Sequence, residues 1–260
     1  MPSCFDLSGK TIVVTGASKG LGRAFAKALA AAGARVLGIS RSRDELESLK
    51  LEIAGNNSPG GSFEYRILDI TDEQAVAGAA EEWGDAYGRI DALVNNAGTG
   101  RVNKAFENIE VAEWQATLTN NLTGTFICCK HFGRRMIKQQ GGKIINLASM
   151  SGIIANKGVH CGPYEVSKLG MVALTKSLAG EWASHHITVN ALAPGYIATE
   201  RNSRFFEANP EFTRQALDMI PVGRMPVPDE IGGVMVFLCS AASDYMNGAV
   251  LVLDGGYTVW

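Results

Sequence analysis

The opening of the chain restricts the fold most. The β-branched run Thr11-Ile12-Val13-Val14 meets glycines at 16, 20 and 22 and then an alanine-rich stretch from Arg23 to Ala32; Gly33 closes it before a second apolar run, Arg35 to Ile39. A short β-branched run, a glycine turn and a helix-forming stretch read as strand, turn, helix, and a glycine just past the last helical residue reads as its stop. Two strands joined through a helix lie parallel, with a right-handed crossover. Such a sheet has to be covered by helices on its faces.

The alternation continues. Ser42-Arg43-Asp44-Glu45 has the form of a capping box opening a helix through about Ile53. Asn56 to Gly61 reads as a loop, Phe63 to Leu68 as a strand ending at Asp69, and Thr71 onward as another helix. Three further buried strands hand over to loops: Ala92-Leu93-Val94 into Asn95-Asn96-Ala97-Gly98, Lys143 to Leu147 into Ser149, and Thr188 to Leu192 into Pro194-Gly195; Ala249 to Leu253 is a last strand. The expectation is an α/β fold: a doubly wound parallel sheet of the Rossmann type in a three-layer α/β/α sandwich, with ligand residues at the carboxyl ends of the strands. No linker or repeat divides residues 1–260, so they form one domain, and the polar and aromatic segment 199–221 is read as a helical lid within it.

Composition then removes several functions. Hydrophobic residues at 46% supply the material to bury both faces of a sheet, and a net charge of −2 offers no field to attract nucleic acid. The five cysteines, Cys4, Cys128, Cys129, Cys161 and Cys239, have no metal-ligand spacing and read as reduced thiols; Cys128 and Cys129 follow an apolar stretch and read as packing residues. No run has the length of a membrane span and the N-terminus carries no targeting pattern, so a soluble, cytoplasmic chain with no metal, membrane or nucleic-acid partner is expected.

Gly16, Gly20 and Gly22 depart from GxGxxG spacing but meet the same needs: a tight turn, close approach of backbone to a pyrophosphate, and a helix N-terminus aimed at the anion. Asp69 is read either as an acceptor for an adenine amine or as a helix cap. Asn95 and the small residues after it are read as both structural and facing a cofactor ribose. About 20 residues after the glycine turn, where a carboxylate would hold a ribose 2′-hydroxyl, stand Ser40 and Arg41. Lys19, Arg41 and Arg43 would face a 2′-phosphate, each charge-assisted bond contributing roughly 1.5 to 3 kcal/mol. NADP(H) is therefore favoured, with NAD(H) left open.

Tyr164-Glu165-Val166-Ser167-Lys168 places a lysine four residues after a tyrosine, on one helical face. An ammonium about 4 Å from the phenol would lower its pKa by about three units at an effective dielectric near 20. Together, Thr15 to Gly22, Asn95-Asn96-Ala97-Gly98, Asn121, Ser149, Tyr164-x-x-x-Lys168 and Pro194-Gly195, in this order over essentially the whole chain, resemble the short-chain dehydrogenase/reductase family.

That resemblance implies roles. Tyr164 would be the general acid and base, Ser149 would hydrogen-bond the substrate oxygen, and Lys168 would hold the nicotinamide ribose and lower the Tyr164 pKa. Asn121, preferred over Asn120, would bend its helix and hold a relay water. Ser18, Leu21, Ile70, Ala97, Gly98, Pro194 and Gly195 would line the cofactor, with Thr199 and the Ile197 backbone at its carboxamide. Ser151 competes with Ser149, but Ser149 directly follows the strand.

Ser149 precedes Tyr164 by 15 residues, two more than the commonest family spacing, which resembles members acting on ketoses, polyols and gluconate. The family also implies a homo-oligomer, a tetramer or dimer. The alternatives are an NAD(H)-dependent 3-oxoacyl or hydroxysteroid-type dehydrogenase and a non-catalytic dinucleotide sensor. His160 and Cys161 lie in the long loop, His160 read as solvent-facing, and His185 and His186 at a helix end.

Overall fold

A computed structural model describes residues 3–55 and 60–260. Seven strands form one wholly parallel sheet: β1 Thr11–Thr15, β2 Arg35–Ser40, β3 Ser62–Ile67, β4 Ala92–Asn95, β5 Gly142–Leu147, β6 Ile187–Pro194 and β7 Val250–Leu253. Their spatial order is β3-β2-β1-β4-β5-β6-β7. The intervening helices are α1 Gly20–Ala31, α2 Arg43–Gly55, α3 Glu73–Tyr87, α4 Val111–Leu118, α5 Gly124–Lys138, α6 Pro163–Trp182, α7 Glu200–Ala208, α8 Pro210–Asp218 and α9 Gly232–Cys239.

Strand periodicity of two sorts the core into two layers. Ile12, Val14, Val36, Val94 and Ile145 pack with Phe25, Leu29, Leu46, Leu49, Met235 and Leu238, so α1, α2 and α9 cover one face. Val13, Leu37, Leu93, Ile144 and Val189 turn the other way, onto Val76, Trp83, Phe132, Met136 and Leu178 of α3, α5 and α6. The chain runs outward from β1 to β3, then returns to β4 on the far side of β1, which leaves a crevice at the carboxyl ends of β1 and β4.

Local details correct two expectations. Ser42 stands at the start of α2, where its carbonyl accepts from Leu46 N–H, but the Glu45 carboxylate meets Lys19 Nζ at 3.0 Å instead of closing a capping box. A reciprocal box is found at Glu110 and Glu113, opening α4. Asp69 is not the cap of α3; Asp72 is, accepting from Ala75 N–H at 3.0 Å. Asn56 to Pro59 of the expected loop lie outside the described residues. Segment 199–221 holds α7 and α8.

Candidate active site

The first half of the site is a cleft of about 660 Å³ at the β1/β4 crevice. Gly16 (φ +66) turns the chain there, and a Cβ on it would meet Asn96 Nδ2 at 2.8 Å. Gly22 does not line this cleft: a Cβ there would lie 2.1 Å from the Gly16 carbonyl oxygen, so its absence lets α1 start directly behind the turn. Gly22→Ala is accordingly expected to push the turn outward and weaken dinucleotide binding at least ~10-fold while costing ~1–3 kcal/mol of stability; titration and thermal unfolding measure both, and unchanged affinity would contradict it. Thr15 Oγ1 accepts from the N–H groups of Asn96 and Ala97, each at 3.0 Å, tying the end of β4 to the turn.

The Lys19 cap of α1 is extended, and its side chain accepts no bond from the helix start. That leaves backbone donors and the positive helix end facing the cleft, the chemistry that suits a pyrophosphate. Ser18, Lys19, Gly20, Leu21, Ser40, Arg41, Asp69, Ile70, Ala97, Gly98 and Thr199 all line it. Arg43 does not. One position into α2, it acts on the Tyr65 phenol instead. Asn95 also turns away: it is buried, donating to Asn146 Oδ1 at 2.9 Å and contacting Cys129 Sγ at 3.2 Å, while Asn96 lines the cleft.

The corner nearest Arg41 is more nearly neutral than the sequence suggests. Asp69 comes across from the end of β3 to within 3.2 Å of Arg41, and Lys19 is engaged by Glu45. Asp69 is held below the usual carboxylate range first by the Thr71 backbone N–H, then by the Thr71 hydroxyl and Arg41. The Arg41–Asp69 pair is solvent-exposed, with Arg41 70% accessible, so it contributes little and yields readily to a stronger anion.

A second cleft of about 230 Å³ shares Leu21, Asn96, Gly98, Thr99 and Thr199 with the first and continues to Ser149, Tyr164 and Lys168. Pro194, Gly195 and Ile197 also line it. Ser149 Oγ accepts from Ser151 N–H at 3.1 Å, whereas Ser151 Oγ is engaged by Asn156 away from the cleft, so Ser149 is the serine presented. Burial pushes the Tyr164 phenol up, and the neighbouring Ser149 hydroxyl and the charges of Arg101 and Arg201 pull against that rise.

Lys168 is 5% exposed, donates to the Leu147 carbonyl at 2.5 Å and stands 5.6 Å from the centre of the Tyr164 ring. The ammonium is thus turned toward the end of β5, and the lowered phenol pKa expected from the i, i+4 spacing is not what this arrangement gives. Burial instead acts on the lysine, bringing its pKa down to about 8.

Asn121 lies in a π turn, Thr119–Thr123, that joins α4 to α5. It is fully buried; its Oδ1 accepts from Thr99 N–H at 2.7 Å and its Nδ2 donates to Ser167 Oγ at 3.0 Å, bracing the loop after β4 against α6. Asn120 lines the first cleft and donates to the Ala116 carbonyl. His160 is exposed and Cys161 buried beside Asn156. Thr99, Asn202, Arg101, Arg201 and Arg204 were not singled out from the sequence; they sit in irregular chain or on the short helix α7, where no periodicity marks a site. Among the described residues no group of His, Cys, Asp and Glu could hold a metal ion, and no helix is long and apolar enough to cross a membrane.

A continuous cleft with anion-seeking backbone at one end and a protonated phenol at the other is the arrangement of a dinucleotide-dependent oxidoreductase. A family model described as Enoyl-(Acyl carrier protein) reductase matches residues 16–258. Over 257 residues the chain is 41% identical to galactitol 2-dehydrogenase (L-tagatose-forming) of Cereibacter sphaeroides, covering 98% of each chain. It is 37% identical to the 3-oxoacyl-[acyl-carrier-protein] reductase FabG of Aquifex aeolicus, covering 96% of this chain and 98% of that one. The crystal structure of gluconate 5-dehydrogenase from Burkholderia cenocepacia J2315, in complex with NADP and tartrate, superposes with a TM-score of 0.90 at 34% identity, covering 98% of each chain. The chain belongs to the short-chain dehydrogenase/reductase family of oxidoreductases.

Proposed function

We propose that this protein interconverts a ketone and a secondary alcohol by NADP(H)-dependent hydride transfer, on a small, sugar-derived substrate. The observation that carries the reading is the meeting of Ser149, Tyr164 and Lys168 in a cleft that opens directly into the glycine-turn cleft. The residues fit a dinucleotide: the α1 N-terminus and glycine turn would hold the pyrophosphate, Ser40 and Arg41 the 2′-phosphate, Asp69 and Ile70 the adenine end, Asn96, Ala97 and Gly98 the ribose, and Thr199 with the Ile197 backbone the carboxamide. When bound, the cofactor supplies or accepts the hydride.

The protein manages the proton and the charge. A phenol pushed up by burial keeps its proton at neutral pH, so Tyr164 is poised to donate to a carbonyl oxygen as negative charge develops there. Because Ser149 Oγ already accepts a backbone bond, its own proton remains to stabilise the same oxygen. Lys168 would hold the nicotinamide ribose beneath the tyrosine. Asn121 fixes α6 against the Thr99 loop, which keeps Tyr164 and the cofactor floor in register. In oxidation the same groups run backwards, Tyr164 accepting the proton.

The names of the relatives support a polyol or sugar-acid substrate, and NADP in the Burkholderia structure supports the cofactor. The 37% identity to a 3-oxoacyl reductase keeps an acyl-thioester substrate as the second reading. Exposed Phe126 of α5 and Val166 and Leu169 of α6 favour assembly as a homo-oligomer, and α7 and α8 are suited to serve as a lid.

Arg41→Ala is expected to reduce the preference for NADPH over NADH by ~10- to 150-fold, the loss of one charge-assisted contact. Dissociation constants for the two dinucleotides check this. Equal losses for both would mean that Arg41 does not read the 2′-phosphate.

A further inference from the structure

Past the end of β4, Thr99 and Gly100 line the second cleft, and Arg101 follows them directly. The Arg101 guanidinium carbon stands 5.2 Å from the centre of the Phe205 ring and 5.8 Å from that of Phe212, on α7 and α8. Those rings belong to an aromatic wall built around Tyr196, which meets Phe206, Phe212 and Tyr257 edge-on at 5.9, 6.0 and 5.5 Å. Arg201, at the start of α7, lies against the same loop: its Nη2 would be 2.8 Å from a Cβ placed on Gly100.

The two arginines share an electrostatic circumstance that sets them apart from their neighbours. Arg204 is tied to Glu200 and Arg214 to Glu211, but among the described residues neither Arg101 nor Arg201 has a carboxylate within 4.0 Å. Both lie close enough to Tyr164 for their charges to act on its phenol, and Arg101 also acts on Tyr196 and Cys161. Two guanidinium groups with no anionic partner therefore stand within electrostatic reach of Tyr164, Arg201 on the wall of the first cleft and Arg101 next to Gly100 of the second. Their planar forks match a carboxylate in shape and charge. The aromatic rings beside Arg101 lower the local dielectric, which strengthens such a contact.

We infer that Arg101 and Arg201 form the carboxylate-binding end of the substrate pocket, which makes the preferred substrate a sugar acid, an aldonate or its keto form, in place of a neutral polyol or ketose. The inference rests on the ketone/alcohol reading above and adds to it the charge of the substrate and the residues that select it. Arg101 also links the bound carboxylate to α7 and α8 through Phe205 and Phe212, so it positions the substrate and the segment covering it together.

The test uses the intact enzyme with NADP(H), measuring kcat and KM for gluconate against galactitol, and for the matching keto acid against tagatose. Wild type, Arg101→Met, Arg101→Lys and Arg201→Met are compared. The wild-type enzyme is expected to favour the acid at least ~10-fold in kcat/KM. In Arg101→Met the acid-to-neutral ratio is expected to fall by ~10- to 150-fold, mostly through KM of the acid, with Arg101→Lys retaining part of it.

An Arg101 that only latches α7 and α8 would lower acid and neutral turnover together, and an unchanged ratio overturns the inference. Wild-type turnover of neutral substrates at or above that of acids also overturns it, while leaving the ketone/alcohol reading intact. If no sugar-derived substrate is turned over, that reading fails. Calorimetric titration of gluconate into the protein–NADP⁺ complex then decides the inference separately: binding weakened by Arg101→Met sustains it, and no binding overturns it.

Discussion

Replacing Tyr164 with phenylalanine is expected to lower kcat/KM by ~10²- to 10⁴-fold, the range that a positioned proton donor contributes. The substitution removes one hydroxyl from the inner cleft and leaves the groups that would hold the dinucleotide: the glycine turn, the open α1 N-terminus and Thr199. Cofactor affinity should therefore stay within about 3-fold, since truncation removes no charge-assisted contact to it. Single-turnover hydride transfer and dinucleotide titration separate the two quantities. Retained turnover would remove Tyr164 from its role, and a parallel loss of cofactor binding would make the residue structural.

Lys168→Met is expected to move stability and activity in opposite directions. In the fold the lysine titrates near 8 because burial disfavours its charge, against 10.5 for the ordinary side chain. Below pH 8 it is charged in both folded and unfolded chains, and the fold carries the whole cost of the buried ammonium, about 3 kcal/mol. Between pH 8 and 10.5 only the unfolded chain keeps the proton, so the cost fades as pH rises. Above 10.5 it is gone.

Methionine removes this cost but leaves the Leu147 carbonyl without its Lys168 donor, which costs ~1 kcal/mol. The variant should be more stable than wild type at pH 7 by about 2 kcal/mol, with the difference vanishing by about pH 10, while turnover falls ~10²-fold or more. Chemical denaturation of both proteins at pH 7, 8.5 and 10 checks it. A variant less stable than wild type at pH 7 would contradict the account of a lysine kept at an energetic cost for catalysis.

The layers were legible because the strands are short apolar, largely β-branched runs separated by helix-forming stretches, and a parallel sheet has to be covered on both faces. What was misjudged turns on single steps along the chain. Asn95 and Asn96 differ by one residue, and a strand that continues one position past its apolar run sends the first into the Asn95–Asn146 bond and the second to the cleft. Arg43 is lost to the site because it lies inside α2, turned toward Tyr65. Asp69 meets Arg41 only through the side-by-side register of β2 and β3, which no local pattern encodes.

The chemistry itself shows a similar division. The Tyr164–Lys168 spacing correctly puts both side chains on one helical face, but where the ammonium points is decided by a carbonyl 21 positions earlier, at the end of β5. Arg101 and Arg201 escaped notice because loops and short polar helices carry no periodicity. Their lack of an anionic partner among the described residues is a property of the folded surroundings.

The most direct measurement is the oxidation of NADPH and of NADH by the purified protein, followed by absorbance, against keto acids of sugars, neutral ketoses, 3-oxoacyl thioesters and steroid ketones. The account predicts turnover with NADPH over NADH and with sugar-derived ketones, the keto acids foremost. Turnover confined to acyl thioesters or steroids, or tight dinucleotide binding with no oxidation of any member of the panel, would contradict it.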